Sequence, residues 1–148
     1  VLFDQVIGEA NSMLKKIHGG RYHLFRTDDR SEGNKRGLDL KVHDNRSPET
    51  EGRGVKMLSG GEKFLVSLSL SIGLSTIAQK SGVRIEALFI DEGFGTLDDH
   101  SIQDAMNVLE GVRQSNAMIG IISHVKLLEE NILNQLEVVK AEQGNYVI

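Results

Sequence analysis

The sequence predicts an α/β fold, a largely parallel sheet flanked by helices, and three observations predict it. Two short apolar runs, Ala87-Leu88-Phe89-Ile90 and Met118-Ile119-Gly120-Ile121-Ile122, end abruptly in polar pairs, Asp91-Glu92 and Ser123-His124. Continuous apolar runs of this length read as strands buried on both faces of a parallel sheet. Between them Ile102, Ala105, Met106, Leu109 and Val112 trace the i, i+3, i+4, i+7 stripe of an amphipathic helix, with Ser101 or Asp98 placed to cap it, and this makes a strand-helix-strand crossover. Upstream, Ser59-Gly60-Gly61-Glu62 spells a capping box and starts another helix.

Taken in order, Phe3, Val6, Ile7, Ala10, Leu14 and Ile17 recur at helical spacing and predict a first helix that stops at Gly19-Gly20. Tyr22 to Arg26 and Leu38 to Val42 alternate apolar with polar residues across a polar, Gly-containing connection, the pattern of a β-hairpin. Residues 43–57 hold the only proline, Pro48, and few apolar residues, so they read as loop. The stretch LVSLSLSIGLS, 65–75, alternates strictly enough for a strand. The capping box before it overrules that period: the expectation is a helix buried all round, its serines acting as small, self-satisfying packing residues. Val125 to Leu133 reads as helical. Leu136 to Lys140 with Tyr146 to Ile148, around Gly144, reads as a closing hairpin.

With 148 residues, 39% apolar and 26% charged, the chain suits one packed domain. No apolar run reaches the 18 residues of a membrane span, and no basic stretch followed by an apolar core marks a secretory signal, so the chain reads as cytoplasmic with no membrane partner. The absence of cysteine excludes disulfides and thiolate metal sites, and the five histidines show no paired metal-ligand spacing. The net charge of −4 is uneven: residues 1–57 hold 11 Lys and Arg against 9 Asp and Glu, residues 58–148 hold 6 against 12. Arg21, Arg26 and Lys35 are candidate DNA contacts, with solvated surface the commoner role for such charges.

In a parallel sheet ligands sit beyond the carboxyl ends of the strands, so Asp91, Glu92 and His124 are expected to share one crevice. Adjacent carboxylates there suit a nucleotide site, one holding Mg²⁺ through its water shell and the next orienting an attacking water; alone, they are also ordinary strand-exit residues. Ser59, Gly60 and Gly61 place a hydroxyl and unobstructed N–H groups at the positive end of a helix, a surface for phosphate or, alone, a tight turn.

The ordered set LSGGEK (58–63), ALFIDEGFGTLD (87–98) and IISH (121–124) resembles the ABC ATPase superfamily, as its signature motif, Walker B with D-loop, and switch histidine. The spelling DEGFGTLD, with ANSMLKKIHGGRYHLFR and GLDLKVHD upstream, resembles the C-terminal ATPase head segment of SbcC-type DNA repair proteins. Lys63 departs from the small residue common in that family and matches SMC proteins.

The resemblance implies the C-terminal half of an ABC-type P-loop ATPase head using ATP and Mg²⁺. It assigns residues 1–17 to the end of a coiled-coil helix and 18–148 to the C-terminal lobe of the head. By the same resemblance Leu58, Ser59, Gly60, Gly61 and Glu62 meet nucleotide bound to a second head. Asp91 serves Mg²⁺, Glu92 is the general base, His124 senses the γ-phosphate, and Leu97 and Asp98 form the D-loop at the dimer seam. No glycine precedes Gly-Lys at P-loop spacing, so the expected partner is the N-terminal Walker A half of the same protein, and the chain, which opens without Met inside a helix, reads as a fragment or one half of a split unit. Other implied partners are a second head around ATP, an SbcD-type nuclease and double-stranded DNA. An SMC- or RecN-type DNA-tethering head is the alternative.

Overall fold

The computed structural model describes residues 2–27, 39–48, 52–113, 117–141 and 144–147. Helix α1, Leu2–Leu14, leads into an antiparallel sheet of β1, Tyr22–Thr27, β2, Asp39–Asp44, and the two-residue β3, Arg53–Gly54. A 3-10 turn, Val55–Met57, delivers the chain to the long helix α2, Gly60–Lys80. Strand β4, Ala87–Asp91, helix α3, Asp99–Arg113, and strand β5, Met118–Ile122, form the crossover, with β4 and β5 parallel and Ile90 opposite Ile121. A short helix α4, Lys126–Asn131, and the hairpin β6, Val138–Ala141, and β7, Gly144–Val147, follow.

The first helix ends three residues before Ile17. His18, Gly19 and Gly20 all take positive φ, a left-handed run that no α-helix continues through, while Ile17 stays wholly buried. Helix α1 lies against α2 along Val6, Ile7, Ala10 and Leu14. The contact is backbone-close: a methyl group on Gly73 of α2 would stand 2.7 Å from the Val6 carbonyl oxygen. Buried Asn11 ties α1 to the sheet, its Nδ2 donating to the Leu24 carbonyl at 2.8 Å and its Oδ1 accepting from the Leu24 N–H at 2.7 Å. The amide thereby satisfies backbone groups on the free edge of β1.

Helix α2 forms over the stretch whose alternation imitates a strand, with Leu65, Val66, Leu68, Ile72 and Ile77 buried, but it is not buried all round: Lys63, Ser67, Ser71 and Leu74 form one exposed stripe at helical spacing. Its small polar residues are not all self-satisfying. Ser71 donates to the Ser67 carbonyl and Thr76 to that of Ile72, but Ser69 Oγ is buried without a hydrogen-bond partner among the described residues.

Three expectations change. The 43–57 stretch contains β3, which pairs Arg53 with Val42 and Gly54 with Lys41; ion pairs from Arg53 rather than apolar patterning hold it, so no periodicity announces it. Helix α4 stops at Asn131, and Leu133 is 98% exposed. The β4–β5 pair is buried on one face only. Leu88, Ile90, Ile119 and Ile121 join the core, whereas Phe89, Met118 and Ile122 are exposed at 68%, 59% and 58%. A continuous apolar run signals cover on both faces, and the described residues supply cover for one. Leu38 and Lys35 lie outside the described residues.

Candidate functional site

The capping box forms as spelled. Ser59, the N-cap of α2, accepts from the Glu62 N–H at 3.2 Å, and Glu62 Oε2 accepts from the Ser59 N–H at 2.9 Å. Leu58 is buried beneath the turn, whereas Ser59 and Gly60 are exposed at the positive end of the helix.

Glu62 also accepts from Arg53, 2.8 Å from Nη2 to Oε1. Arg53 in turn lies 3.7 Å from Asp44, which takes a bidentate pair from Arg21 at 3.0 and 2.7 Å. The Arg21 guanidinium stacks 4.9 Å above the Tyr22 ring. The bonds from Arg21 hold the Asp44 carboxyl below the usual carboxylate range against the opposing effect of burial. At Glu62 burial pushes the carboxyl up, yet the bonds from Arg53 and from the Ser59 N–H bring it to a net lowering. A charged chain therefore runs from β1 through β2 and β3 to the first turn of α2. Its members are far apart in sequence, so composition gave no sign of it, and Arg21 is committed to this chain rather than to open solvent. Arg26 lies 4.0 Å from Asp4.

At the other end, Asp91 closes β4 and is exposed. Glu92 takes φ of 57°, rare for a side-chain-bearing residue, and its N–H donates to the Ile122 carbonyl at 2.9 Å, extending the parallel ladder one residue past the strand. That conformation presents the Glu92 carboxylate to His124, whose Nδ1 lies 3.3 Å from both carboxylate oxygens. Glu92 and His124 are therefore in direct contact at the carboxyl ends of β4 and β5, both largely open to solvent, with Asp91 exposed beside them.

The turn at 93–97 touches both halves of the site. Gly93 sits at φ 97° with the Phe64 ring of α2 packed on it, so that any Cβ would stand 2.2 Å from Phe64 Cδ2. Buried Phe94 meets Phe64 edge-on at 4.9 Å. A methyl group on Gly61 would be 2.8 Å from the Thr96 carbonyl oxygen and 3.3 Å from Leu97 Cδ2, while one on Gly95 would come within 3.8 Å of His124 Nε2. Glycine at 61 is thus required by the packing of this turn. Asp98 acts on its own helix, where its Oδ1 accepts from the Ser101 N–H at 2.8 Å and from the Ser101 hydroxyl at 2.9 Å, capping α3.

The oxygen-only, solvent-open carboxylate of Asp91 fits a hard cation held through water, and the exposed α2 N-terminus fits an anionic phosphate. The histidines show no paired metal-ligand spacing along the sequence, yet two of them meet a carboxylate in the fold. His100 and Asp104 stand four residues apart on α3, and His18 from the α1–β1 turn joins them, their ligand atoms within 4.8 Å of one another. The His-x3-Asp spacing was the visible signal; His18, 82 positions before His100, was not foreseeable from spacing.

Residues 32–111 match the family model described as SbcC/RAD50-like, Walker B motif. The chain is 45% identical over 148 residues to the C subunit of the SbcCD nuclease of Vibrio cholerae serotype O1, covering 98% of this chain and 14% of that protein. It is 42% identical over 137 residues to the Staphylococcus haemolyticus protein of the same name, covering 91% of this chain and 13% of that one. The chain therefore spans about a seventh of the length of these relatives. Among solved structures it resembles one from work on ATP-driven dimerization and DNA-stimulated activation of SMC ATPases, with a TM-score of 0.75 at 13% identity over 99% of this chain and 83% of that one. It also resembles the SMC head domain from Thermotoga maritima, with a TM-score of 0.64 at 19% identity over 98% of this chain and 47% of that one. No helix among the described residues is long and apolar enough to cross a membrane.

Proposed function

Since this chain belongs to the SbcC/RAD50-like ATPase family, we propose that it is the C-terminal half of the ATP-hydrolysing head of an SbcC-type double-strand-break repair protein. The observation that carries the reading is the Glu92–His124 contact at the carboxyl edge of β4–β5, joined through the 93–97 turn to the capped N-terminus of α2. In this reading Glu92 is the general base that takes a proton from the attacking water, and His124, bonded to the same carboxylate, orients it and meets the γ-phosphate. Asp91 would hold Mg²⁺ through water, which would supply positive charge against the phosphates. Ser59, Gly60 and Gly61 offer hydrogen-bond donors to ATP bound on a second head, so nucleotide joins two heads, and Leu97 and Asp98 lie at that seam. Gly61 lies so close to the 93–97 turn that a Cβ on it would stand 3.3 Å from Leu97 Cδ2, which supports reading the signature turn and the D-loop as one unit that reports across the seam.

The phosphate-cradling loop comes from a Walker A half, which covers the open face bearing Phe89, Met118 and Ile122. ATP-driven closure of two such heads, in the cytoplasm, controls access of an SbcD-type nuclease to the ends of double-stranded DNA. Reconstitution tests this scheme. The chain alone is expected to hydrolyse ATP at background rate, and addition of the Walker A half to raise turnover well above it. Equal activity with and without that half would contradict it.

A further inference from the structure

His18 is the one non-glycine residue besides Glu92 found at positive φ among the described residues, at 51°. Two bonds from α3 hold it there. Its backbone N–H donates to Asp104 Oδ2 at 2.8 Å, and its Nε2 lies 2.6 Å from Ser101 Oγ. His100, one helical turn before Asp104, brings its Nδ1 to 3.6 Å from Asp104 Oδ2, and its ring centroid is 5.4 Å from that of His18. Two imidazoles and a carboxylate thus converge from segments 86 residues apart in sequence.

We propose that His18, His100 and Asp104 form a three-ligand site for Zn²⁺ or a similar late first-row divalent cation, with water as the fourth ligand. The donor set decides the class of ion: two imidazole nitrogens of three ligands suit zinc and its neighbours, whereas Mg²⁺ and Ca²⁺ take oxygen. The geometry is near closure. Ligand atoms within 4.8 Å of one another need to approach to about 3.4 Å, the separation for bonds near 2.1 Å in a tetrahedron. The ring of His100, 74% exposed, is free to make that adjustment. His18 and Asp104 are already ordered by each other and by Ser101, the kind of outer support that metal-binding histidines use.

The bound ion would pin the α1–β1 turn to the first two turns of α3, the helix that Asp98 caps at the end of the 93–98 segment. It would brace that segment from behind without touching Glu92 or His124. The site stands on its own geometry and does not depend on the ATPase reading.

Zn²⁺ titration of the metal-stripped full-length protein, without nucleotide, by isothermal calorimetry tests the site, with Co²⁺ visible absorption as a second readout. The wild type is expected to bind one more equivalent of Zn²⁺ than the His100→Gln, Asp104→Asn double variant. His100→Gln alone is expected to weaken that equivalent by about 100-fold and to lower its Co²⁺ absorption bands, while His43→Gln changes neither. Because His100 is exposed, its substitution leaves folding intact, and that variant decides the matter even where Asp104→Asn fails to fold. Identical stoichiometry, affinity and Co²⁺ bands in wild type and His100→Gln would overturn the proposal and leave a hydrogen-bonded cluster only.

Discussion

Glu62 carries two structural duties with one carboxylate, closing the capping box on Ser59 and receiving Arg53 from β3. The first was legible because both partners sit within four residues. The second was not, since an ion pair between strand and helix leaves no local trace. Asp44 lies at the centre of the same chain, with a folded-state acidity strengthened chiefly by the Arg21 bonds. A depressed folded-state pKa contributes stability that is complete above the unfolded value, about 3.9, and is lost as pH falls through the folded one. Asp44→Asn is therefore expected to cost about 2 kcal/mol at pH 7, because it leaves Arg21 and Arg53 without their shared anion, and to flatten the loss of melting temperature between about pH 5 and pH 2. Thermal denaturation across that range checks it; an unchanged acid limb in the variant would contradict the assignment. Glu92 was named from the sequence as well, but its positive φ and its contact with His124 follow from the 93–97 turn packing on α2, which only the folded chain shows.

Helix α2 is the element on which local pattern and fold disagree most. Its alternating 65–75 stretch imitates a strand because a broad face is buried against α1 and the core, while Ser67, Ser71 and Leu74 form the exposed stripe that the period-2 pattern hides. The capping box at its start was the better guide, since a cap acts on backbone groups whatever the apolar period. Gly73 sets how closely α1 approaches. An interior glycine costs about 1 kcal/mol of helix propensity, and here the close contact with Val6 and Ala10 compensates. Gly73→Val is expected to destabilise the chain by about 1–3 kcal/mol through forced separation of the two helices, measured by denaturant midpoint; a neutral or stabilising result would mean that α1 is not seated as described. Strand β3 and the early end of α1 escaped the sequence for a shared reason. One is held by charge, and after Leu14 the chain runs on in i→i−3 turns, Lys16 N–H to Met13 and Ile17 N–H to Leu14, that keep Ile17 buried, so neither departure shows in the apolar rhythm.

Across the whole molecule, apolar surface is divided unevenly. The α1, α2 and α3 faces close over a common core, while the outer face of β4–β5 shows Phe89, Met118 and Ile122 to solvent. The sequence foretold burial on both faces, and the discrepancy marks where the Walker A half is proposed to dock. The motif order 58–63, 87–98, 121–124 was readable because each motif is short and contiguous. The geometry joining the three was not, because it depends on glycines 61 and 93, where any Cβ would collide with the segment packed against it. The central claim is that Glu92 supplies the base of an ATPase site completed only on assembly. Single-turnover hydrolysis by the assembled head carrying Glu92→Gln tests it most directly, with ATP binding and head dimerisation measured on the same sample. The account predicts retained ATP binding, stable dimers and a hydrolysis rate at least about 100-fold below wild type. Hydrolysis at the wild-type rate by dimers that bind ATP normally would contradict it.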